Sequence, residues 1–233
     1  MRIFREDNIL IVFSERSDGD LRFSDMDDFA FGQAWKEICA GTGHDLARPR
    51  FVRQVHGDAI IDLAPEGQPG SQGEADGLIT AERGVPIGVF TADCLPILIA
   101  GHDRIAAIHA GWKGTRLDIA GNAVRRLSAS SEQPAALRAF FGPCIGSCCL
   151  ELGEEVPPTF IERDSAAASA FSHGRKWHLD LRGLNALQLM RAGIRPETLR
   201  HVHDCTRCRA DRYFSYRGDH GRHGSLFSFI VRI

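Results

Sequence analysis

Apolar residues fall into short runs along much of the chain, and the length of these runs is typical of strands. Residues 9–13 (Ile-Leu-Ile-Val-Phe) form the first run and predict a buried strand. Six further runs lie too close together for helices between them; they cover residues 51–55, 59–63, 77–80, 86–91, 96–100 and 105–109. We therefore expect this middle region to form a mixed or antiparallel sheet.

Three other segments repeat apolar residues every three or four positions, which predicts helices with one apolar face. The first begins near Ser24, the second covers residues 116–127, and the third covers residues 181–192. Residues typical of helix starts and ends flank them: Ser24 with Asp27, Thr115 with Asp118, and the glycines Gly41, Gly43 and Gly193. The apolar faces are Phe31, Trp35 and Ile38; Leu117, Ala120, Val124 and Leu127; and Leu181, Leu184, Leu187 and Met190.

The composition is that of a globular chain with a sizeable core. The 233 residues are 43% hydrophobic and 25% charged, which is enough to bury one large core. No internal repeat or long polar linker divides the sequence. We therefore expect a single domain over residues 1–233.

The charge balance argues against nucleic acid and membrane partners. A formal net charge of -2 gives no general attraction to polyanions, and no apolar stretch approaches the roughly 20 residues that span a bilayer. Charged side chains appear within residues 1–7, before any apolar stretch of the kind that a signal peptide contains. A cytoplasmic location is therefore expected. In a reducing cytosol, the odd number of cysteines, 7, favours free thiols and ligands over a disulfide framework.

Three short segments each contain one potential metal ligand. They are Gln54-Val55-His56-Gly57, Thr91-Ala92-Asp93-Cys94-Leu95-Pro96 and His109-Ala110-Gly111-Trp112. Two imidazoles and one thiolate suit zinc, with copper as the main competitor. A catalytic zinc ion keeps one coordination position open, so three protein ligands indicate chemistry rather than a structural role.

The segment between Cys94 and Gly111 allows a geometric prediction. If residues 101–104 form the turn of an antiparallel hairpin, Pro96 faces His109 and Cys94 faces Gly111. Cys94 and His109 then share one face as diagonal neighbours, with their Cα atoms about 7 to 8 Å apart. A slip of one residue would move one ligand to the opposite face.

Each candidate ligand also has an ordinary structural explanation. A histidine beside a glycine is commonly a turn residue or a satisfied buried group, and a cysteine after an apolar strand commonly packs in the core. The neighbours favour function: Cys94 precedes a proline that interrupts the strand ladder, and two small residues follow His109. The same pair would also permit a thiol mechanism, with Cys94 as nucleophile and His109 as base.

Seven segments occur together in an order that resembles a known family. They cover residues 54–57, 75–77, 91–96, 109–112, 142–146, 205–206 and 214–217. Over residues 50–230 the chain resembles the laccase-domain or polyphenol oxidase family, whose members are regarded as purine nucleoside phosphorylases. Peptidoglycan editing has also been linked to this family.

The resemblance implies a single α/β domain with two mixed sheets packed between helices, similar to a cysteine-hydrolase-like fold. It also implies that His56, Cys94 and His109 hold a metal ion, usually zinc. The implied activity is phosphate-dependent cleavage of adenosine, inosine, guanosine or methylthioadenosine, with adenosine deamination. The partners would then be a purine nucleoside and phosphate, and we expect a monomer.

Phosphorolysis requires an anion site, for which the chain offers three cations. Lys113 lies at the start of the second predicted helix, where backbone amides and the helix dipole attract phosphate. Related chains usually carry arginine there, and lysine lacks its bidentate geometry. Arg217 lies in a matched segment, whereas Arg16 lies in a segment that has diverged from the family. Asp93 is a candidate proton shuttle, or a residue that orients a histidine or caps a turn.

Departures from the family and other cysteines leave several points open. Leu150 stands where relatives commonly have tyrosine, and Gly218 stands where they have a second arginine. A second zinc site built from Cys205 and Cys208 with two nearby histidines, His201 and His203, has weak support from a single Cys-x-x-Cys pair. Three further cysteines are candidates for lining the pocket: Cys144, Cys148 and Cys149.

Three classes of function remain open: the purine nucleoside enzyme, a cysteine-type hydrolase or peptidoglycan-editing factor, and a non-catalytic metal-binding module. Phosphate dependence would identify the first, and loss of activity on chelation would argue against a thiol mechanism. A literal copper polyphenol oxidase is disfavoured, because four-copper enzymes need many His-x-His pairs and this chain has one, at His201 and His203.

Overall fold

A computed structural model describes residues 1–21, 29–129, 132–221 and 224–233. The helices are α1 Phe29–Thr42, α2 Trp112–Arg116, α3 Ile119–Ser128, α4 Val156–Ile161 and α5 Leu181–Arg191. The strands are β1 Arg2–Glu6, β2 Ile9–Phe13, β3 Arg50–Arg53, β4 Ile60–Asp62, β5 Gly70–Glu74, β6 Gly77–Thr80, β7 Ile87–Thr91, β8 Leu95–Ala100, β9 Ile105–Ala110, β10 Arg138–Phe141, β11 Glu151–Leu152, β12 Phe171–His173, β13 Trp177–Leu179, β14 Leu199–His201 and β15 Leu226–Arg232.

The strands form two large mixed sheets and a small one. The first sheet has the order β1-β2-β15-β7-β3-β5, the second has the order β14-β10-β8-β9-β6-β4, and the third has the order β11-β13-β12. In the first sheet β3 runs parallel to β5 and β7, while β15 runs antiparallel to β2 and β7. This architecture confirms the expected α/β fold with two mixed sheets.

Apolar side chains divide the fold into layers. Ile11 of β2 and Leu98 of β8 belong to one buried cluster, so the first and second sheets pack face to face. The outer face of the first sheet is covered by α1, while α3 and α5 cover the outer face of the second. Burial of these faces removes apolar surface from water and is the main stabilising term. Helices therefore lie outside both sheets, as expected.

The predicted hairpin is confirmed in its register. β8 and β9 pair antiparallel with Pro96 opposite His109 and Leu95 opposite Ala110, and Gly101 closes the turn by donating its N–H to the Arg104 carbonyl. The predicted buried strand at residues 9–13 and the other predicted strands are also present. β5 was not predicted, because its residues, Gly-Ser-Gln-Gly-Glu, lack the apolar residues on which the strand predictions relied. The predictions also left out β1 and the strands from β10 to β15.

Two helix predictions were partly wrong. The single helix expected at 116–127 is two helices, because Asp118 adopts a left-handed conformation with φ 64° and breaks the hydrogen-bond ladder between α2 and α3. In α5 the buried position near the end is Leu189, whereas Met190 is exposed. In α1 the expected apolar face is buried, and the helix ends at Thr42, directly before Gly43, one of the two glycines expected to stop it; the other, Gly41, lies inside the helix. Ser24 and Asp27 lie outside the described residues.

Within the described part of the chain, every helix is too short or too polar to cross a membrane.

Candidate metal centre

The three candidate ligands lie where the chain passes between the two large sheets. His56 follows β3 of the first sheet and precedes β4 of the second, and Cys94 lies in the connection from β7 to β8. His109 is near the end of β9, beside Cys94 in the confirmed hairpin. The ligand atoms of these three residues all lie within 4.8 Å of one another. One metal ion could therefore contact all three.

Asp76 holds two of these ligands in place. Its carboxylate lies 2.8 Å from Nδ1 of His109 and accepts backbone N–H groups from His56 at 2.9 Å and Gly57 at 2.6 Å. The N–H of Val55 adds a longer contact of 3.3 Å. The side chain of Asp76 is completely buried, so these donors replace the water that a buried carboxylate loses.

Asp76 had no predicted functional role. Its segment, 75–77, was recognised only as a family motif. The sequence does contain one signal, an aspartate directly before the apolar strand β6. A carboxylate at that position is expected to be buried, and a buried carboxylate requires several hydrogen-bond donors. Which donors these are depends on contacts between residues 20 and 33 positions apart, and sequence spacing does not show them.

The backbone at His56 is strained. Its φ of 62° lies in the left-handed region, which costs a non-glycine residue free energy. The two short N–H contacts to Asp76 stabilise this turn and leave the His56 ring beside that of His109, with ring centroids 4.9 Å apart. The left-handed conformation of His56 therefore directs its imidazole toward the other two candidate ligands.

Charges at the site favour an ionised thiol beside a protonated imidazole in the metal-free chain. Burial raises the pKa of Cys94, but the charges and hydrogen bonds of His109 and His56 outweigh it and lower the pKa to about 6. Burial lowers the pKa of His109, but Cys94 and Asp76 raise it to about 9. Burial alone would also raise the pKa of Asp76, which His109 and the backbone donors keep low.

The donor set fits a zinc-type ion with one open coordination position. A thiolate and two imidazoles face a common point, and the Asp76 contact at Nδ1 leaves Nε2 of His109 as the ligand atom. Gly111 keeps this point clear, because a Cβ there would lie 3.0 Å from Sγ of Cys94 and 3.2 Å from Cδ2 of His56. These features support a site that could hold a metal.

A cavity of about 730 Å³ opens onto the three ligands. Trp112, Phe90 and Tyr216 give it aromatic walls, and Lys113 and Arg217 add two cations. This volume and mixture of apolar walls with a few polar groups are typical of small-molecule sites. Leu150 also lines the cavity.

The candidate anion contacts differ in their surroundings. Lys113 lines the cavity, but α2 has only 5 residues, so its dipole is smaller than that of the longer helix expected from sequence. Arg217 lines the cavity and donates through Nη1 to the Glu151 carbonyl. Arg16 lies elsewhere: it donates to the Tyr213 carbonyl, pairs with Asp219 and stacks over Phe214.

Asp93 is held by the C-terminal part of the chain. Its Oδ1 accepts the hydroxyl of Thr206 at 2.6 Å, and its Oδ2 accepts the backbone N–H of Arg217 at 2.7 Å. A φ of 90° turns its side chain away from the direction that a regular strand would give. Asp93 thus lines the cavity while both oxygens are engaged, an arrangement that favours the structural interpretation.

The other cysteines group differently from the arrangement considered from sequence. His201 stacks on Phe141 and His203 stacks on His201. Cys205 and Cys208 lie instead with Cys148 and Cys149. Of the three candidates for lining the cavity, Cys144 is fully buried, and Ile145 beside it provides the wall.

Residues 21–233 match the family described as multi-copper polyphenol oxidoreductase laccase. The chain belongs to this family. Members with curated names include a purine nucleoside phosphorylase from Xylella fastidiosa, 38% identical over 76% of this chain and 71% of the relative. Another relative, an adenosine deaminase named RL5 from an unknown prokaryote, is 31% identical over 82% of this chain and 77% of its own.

Solved structures support the family assignment. The crystal structure of a Bacillus licheniformis hypothetical protein, YfiH, superposes with a TM-score of 0.88 and 26% identity. The match covers 97% of this chain and 93% of that protein. The fold is therefore that of the family across nearly its whole length.

Proposed function

We propose that this protein is a zinc-dependent purine nucleoside phosphorylase that also deaminates adenosine. The observation that carries the proposal is the position of His56, Cys94 and His109, whose ligand atoms meet at a cavity that also contains two cations. Relatives named purine nucleoside phosphorylase and adenosine deaminase support the same reactions. In this proposal residues 1–233 act as one catalytic domain.

Different side chains of the cavity suit the two proposed substrates, the purine nucleoside and inorganic phosphate. The aromatic walls, Trp112, Phe90 and Tyr216, offer stacking surfaces for a purine base. Lys113 and Arg217 offer positive charge to inorganic phosphate. We assign phosphate binding to these two side chains and give Arg16 no direct contact with substrate, because it is paired with Asp219 outside the cavity lining.

A bound zinc ion would supply Lewis acidity, which activates water and polarises a substrate oxygen or nitrogen. Asp76 keeps Nδ1 of His109 protonated, and so presents Nε2 to the metal. Cys94 acts as a thiolate ligand, which makes it a poorer nucleophile than a free thiolate. Asp93 positions Arg217 and the Thr206 segment, since both of its oxygens already accept hydrogen bonds.

Metal analysis coupled to a nucleoside assay tests the proposal. The native protein should contain zinc and should convert adenosine or inosine to free base and ribose 1-phosphate only when phosphate is present. Cys94→Ala should lose both the metal of this centre and the activity. Turnover that does not depend on phosphate, or full activity after removal of the metal, would contradict the phosphorylase.

A cysteine-type hydrolase is the second candidate, and one observation favours it. Cys94, His109 and Asp76 form a continuous series of contacts that has the order of a nucleophile, a base and an orienting acid. Chelation separates the two functions, because a thiol mechanism needs no metal. If chelation increases hydrolysis of an amide while nucleoside turnover is absent, the hydrolase is correct and the phosphorylase is not.

A further inference from the structure

Four cysteines form a cluster outside the cavity. Cys148 and Cys149 lie in the segment after β10, and Cys205 and Cys208 lie in the segment after β14. The four sulfur atoms all lie within 4.8 Å of one another. Two loops that are more than 50 positions apart in the chain thus each bring two thiols to one point.

The spacing of the sulfur atoms fits a metal ion better than a disulfide. The Sγ of Cys208 lies 3.6 Å from that of Cys148 and 3.5 Å from that of Cys149. A disulfide requires about 2.05 Å between the sulfurs. One zinc ion bound tetrahedrally at about 2.3 Å from each sulfur sets their separations at about 3.8 Å. The two measured separations are therefore close to those of a tetrahedral zinc site.

Backbone groups beside the cluster stabilise a thiolate and leave room for the sulfur atoms. The N–H of Gly146 donates to Sγ of Cys205 at 3.2 Å, and such donors stabilise a thiolate. A side chain at Gly146 would intrude, because its Cβ would lie 3.2 Å from Sγ of Cys148. The turn is also closed by the N–H groups of Cys149 and Leu150, which both donate to the Gly146 carbonyl at 2.9 Å.

We propose that Cys148, Cys149, Cys205 and Cys208 bind a single structural zinc ion. Four thiolates close the tetrahedral shell and leave no position for substrate, which distinguishes this site from the three-ligand centre. The close spacing of the sulfurs selects one ion over an iron–sulfur cluster. Arg182 lies beside the same segment, where it donates to Sγ of Cys144 and to the Asp204 carbonyl, and its charge would offset the anionic site.

This zinc ion would join two segments that form one side of the cavity. The first segment supplies Ile145 and Leu150 to the cavity wall. The second supplies Thr206, whose hydroxyl binds Asp93, and leads to Arg217. The isolated bridge between Cys144 and Cys205 and the contact from the Gly146 N–H to Sγ of Cys205 already join the segments. The metal would therefore strengthen an existing junction with a further crosslink.

Metal content tests the site independently of catalysis. Native protein purified under reducing conditions should hold two zinc equivalents per chain, and the double variant Cys148→Ser with Cys208→Ser should hold one. Both side chains are exposed, so the exchange leaves the core intact. His56→Ala should lose the other equivalent, and Cys39→Ala, in a separate buried cluster, should keep both.

If the double variant fails to fold, a second measurement still tests the site. X-ray absorption at the zinc edge of His56→Ala should show a zinc ion surrounded by four sulfur atoms. Native protein whose only zinc is lost in His56→Ala would overturn the proposal, as would a disulfide among these four cysteines in protein kept under reducing conditions. Failure of nucleoside turnover would leave the metal stoichiometry unchanged, so the two proposals are tested separately.

Discussion

The carboxylate of Asp76 and Nδ1 of His109 lie 2.8 Å apart, and both side chains are buried. This contact determines which ring nitrogen carries the proton, and it leaves Nε2 on the side of Cys94. The same carboxylate holds the turn that presents His56. One acidic side chain thus positions two of the three candidate ligands, one in a strand and one in the connection between the two large sheets.

Asp76→Asn should weaken metal binding by about 10- to 100-fold, the usual cost of losing a carboxylate that orients a histidine ligand. An amide has one acceptor atom where the carboxylate has two, so at least one donor from His109 or the His56 turn loses its partner. Competition with a chelator measures the affinity, and circular dichroism checks the fold. Asp58→Asn, an exposed neighbour, is the control; equal affinities in the two variants would contradict the role of Asp76.

Gly111→Ala should reduce occupancy of the metal centre while the protein stays folded. The new methyl group would lie 3.0 Å from Sγ of Cys94 and 3.2 Å from the His56 ring, so one of the ligands must move. Metal content and thermal unfolding together measure the effect. Gly174→Ala serves as the control, because its Cβ would have no neighbour within 4 Å. Normal occupancy in Gly111→Ala would show that the ligands do not converge on this point.

Lys113→Ala should raise the KM for phosphate by about 10-fold or more, because hydrogen bonds to charged groups contribute about 1.5 to 3 kcal/mol. Lys113→Arg should retain binding, since it keeps the charge and adds a fork of donors. Steady-state kinetics with varied phosphate provide the measurement, and Lys36→Ala, on α1 away from the cavity, is the control. A KM that is unchanged in Lys113→Ala would assign the anion site to other residues.

Thr206→Val should destabilise the protein by about 1 to 3 kcal/mol, because it leaves a buried carboxylate oxygen of Asp93 without its donor. For a chain of this size the loss corresponds to several degrees in Tm. Thr159→Val removes a comparable hydroxyl from an exposed position of α4 and should have little effect. Similar Tm values for the two variants would argue that Asp93 does not depend on Thr206.

Asp93→Asn distinguishes positioning from proton transfer. If Asp93 acts by holding Thr206 and Arg217, the variant should lower kcat and Tm while the pH dependence of the reaction keeps its shape. A proton shuttle would instead remove one limb of the pH–rate profile. The comparison requires rates over the full pH range, with Thr206→Val as the matched structural variant.

Metal affinity should increase with pH through the neutral range. In the metal-free chain the pKa of His109 is raised to about 9, so below that pH its proton must leave when a metal binds. The pKa of Cys94 is lowered to about 6, so above that pH its thiolate is already available. Between these values, affinity should rise on the order of tenfold per pH unit. Chelator competition at two pH values tests the slope, and a flat response would contradict it.

Local features were predictable from sequence. The hairpin register followed from the length of one turn, and the apolar faces of β2 and α1 followed from the spacing of their side chains. These patterns depend on neighbours in the chain, so one sequence is enough to read them. The family motifs contain His56, Cys94 and His109 as candidate ligands, and the structure brings these three residues together.

Features that depend on distant contacts or unusual backbone conformations were not predictable. Asp93 and Asp118 adopt left-handed conformations that change the direction of the chain. Aspartate also occurs within regular helices and strands, so the residue type alone does not predict these conformations. Asp76 gains its role only when three segments meet around it. The four-cysteine cluster likewise joins residues more than 50 positions apart, whereas spacing within 201–208 had suggested histidine partners.

The central position of β15 makes closure of the first sheet depend on contacts between distant parts of the chain. In this sheet β15 lies between β2 and β7 and pairs with both, although it is far from each of them in sequence. Before β15 docks, the β1–β2 hairpin would have no partner in the sheet, and β7, which leads to Asp93 and Cys94, would lack a neighbour on one side. Strand pairs so distant in sequence form slowly. A partly folded chain would therefore expose an unpaired strand edge that is prone to aggregation until β15 is in place.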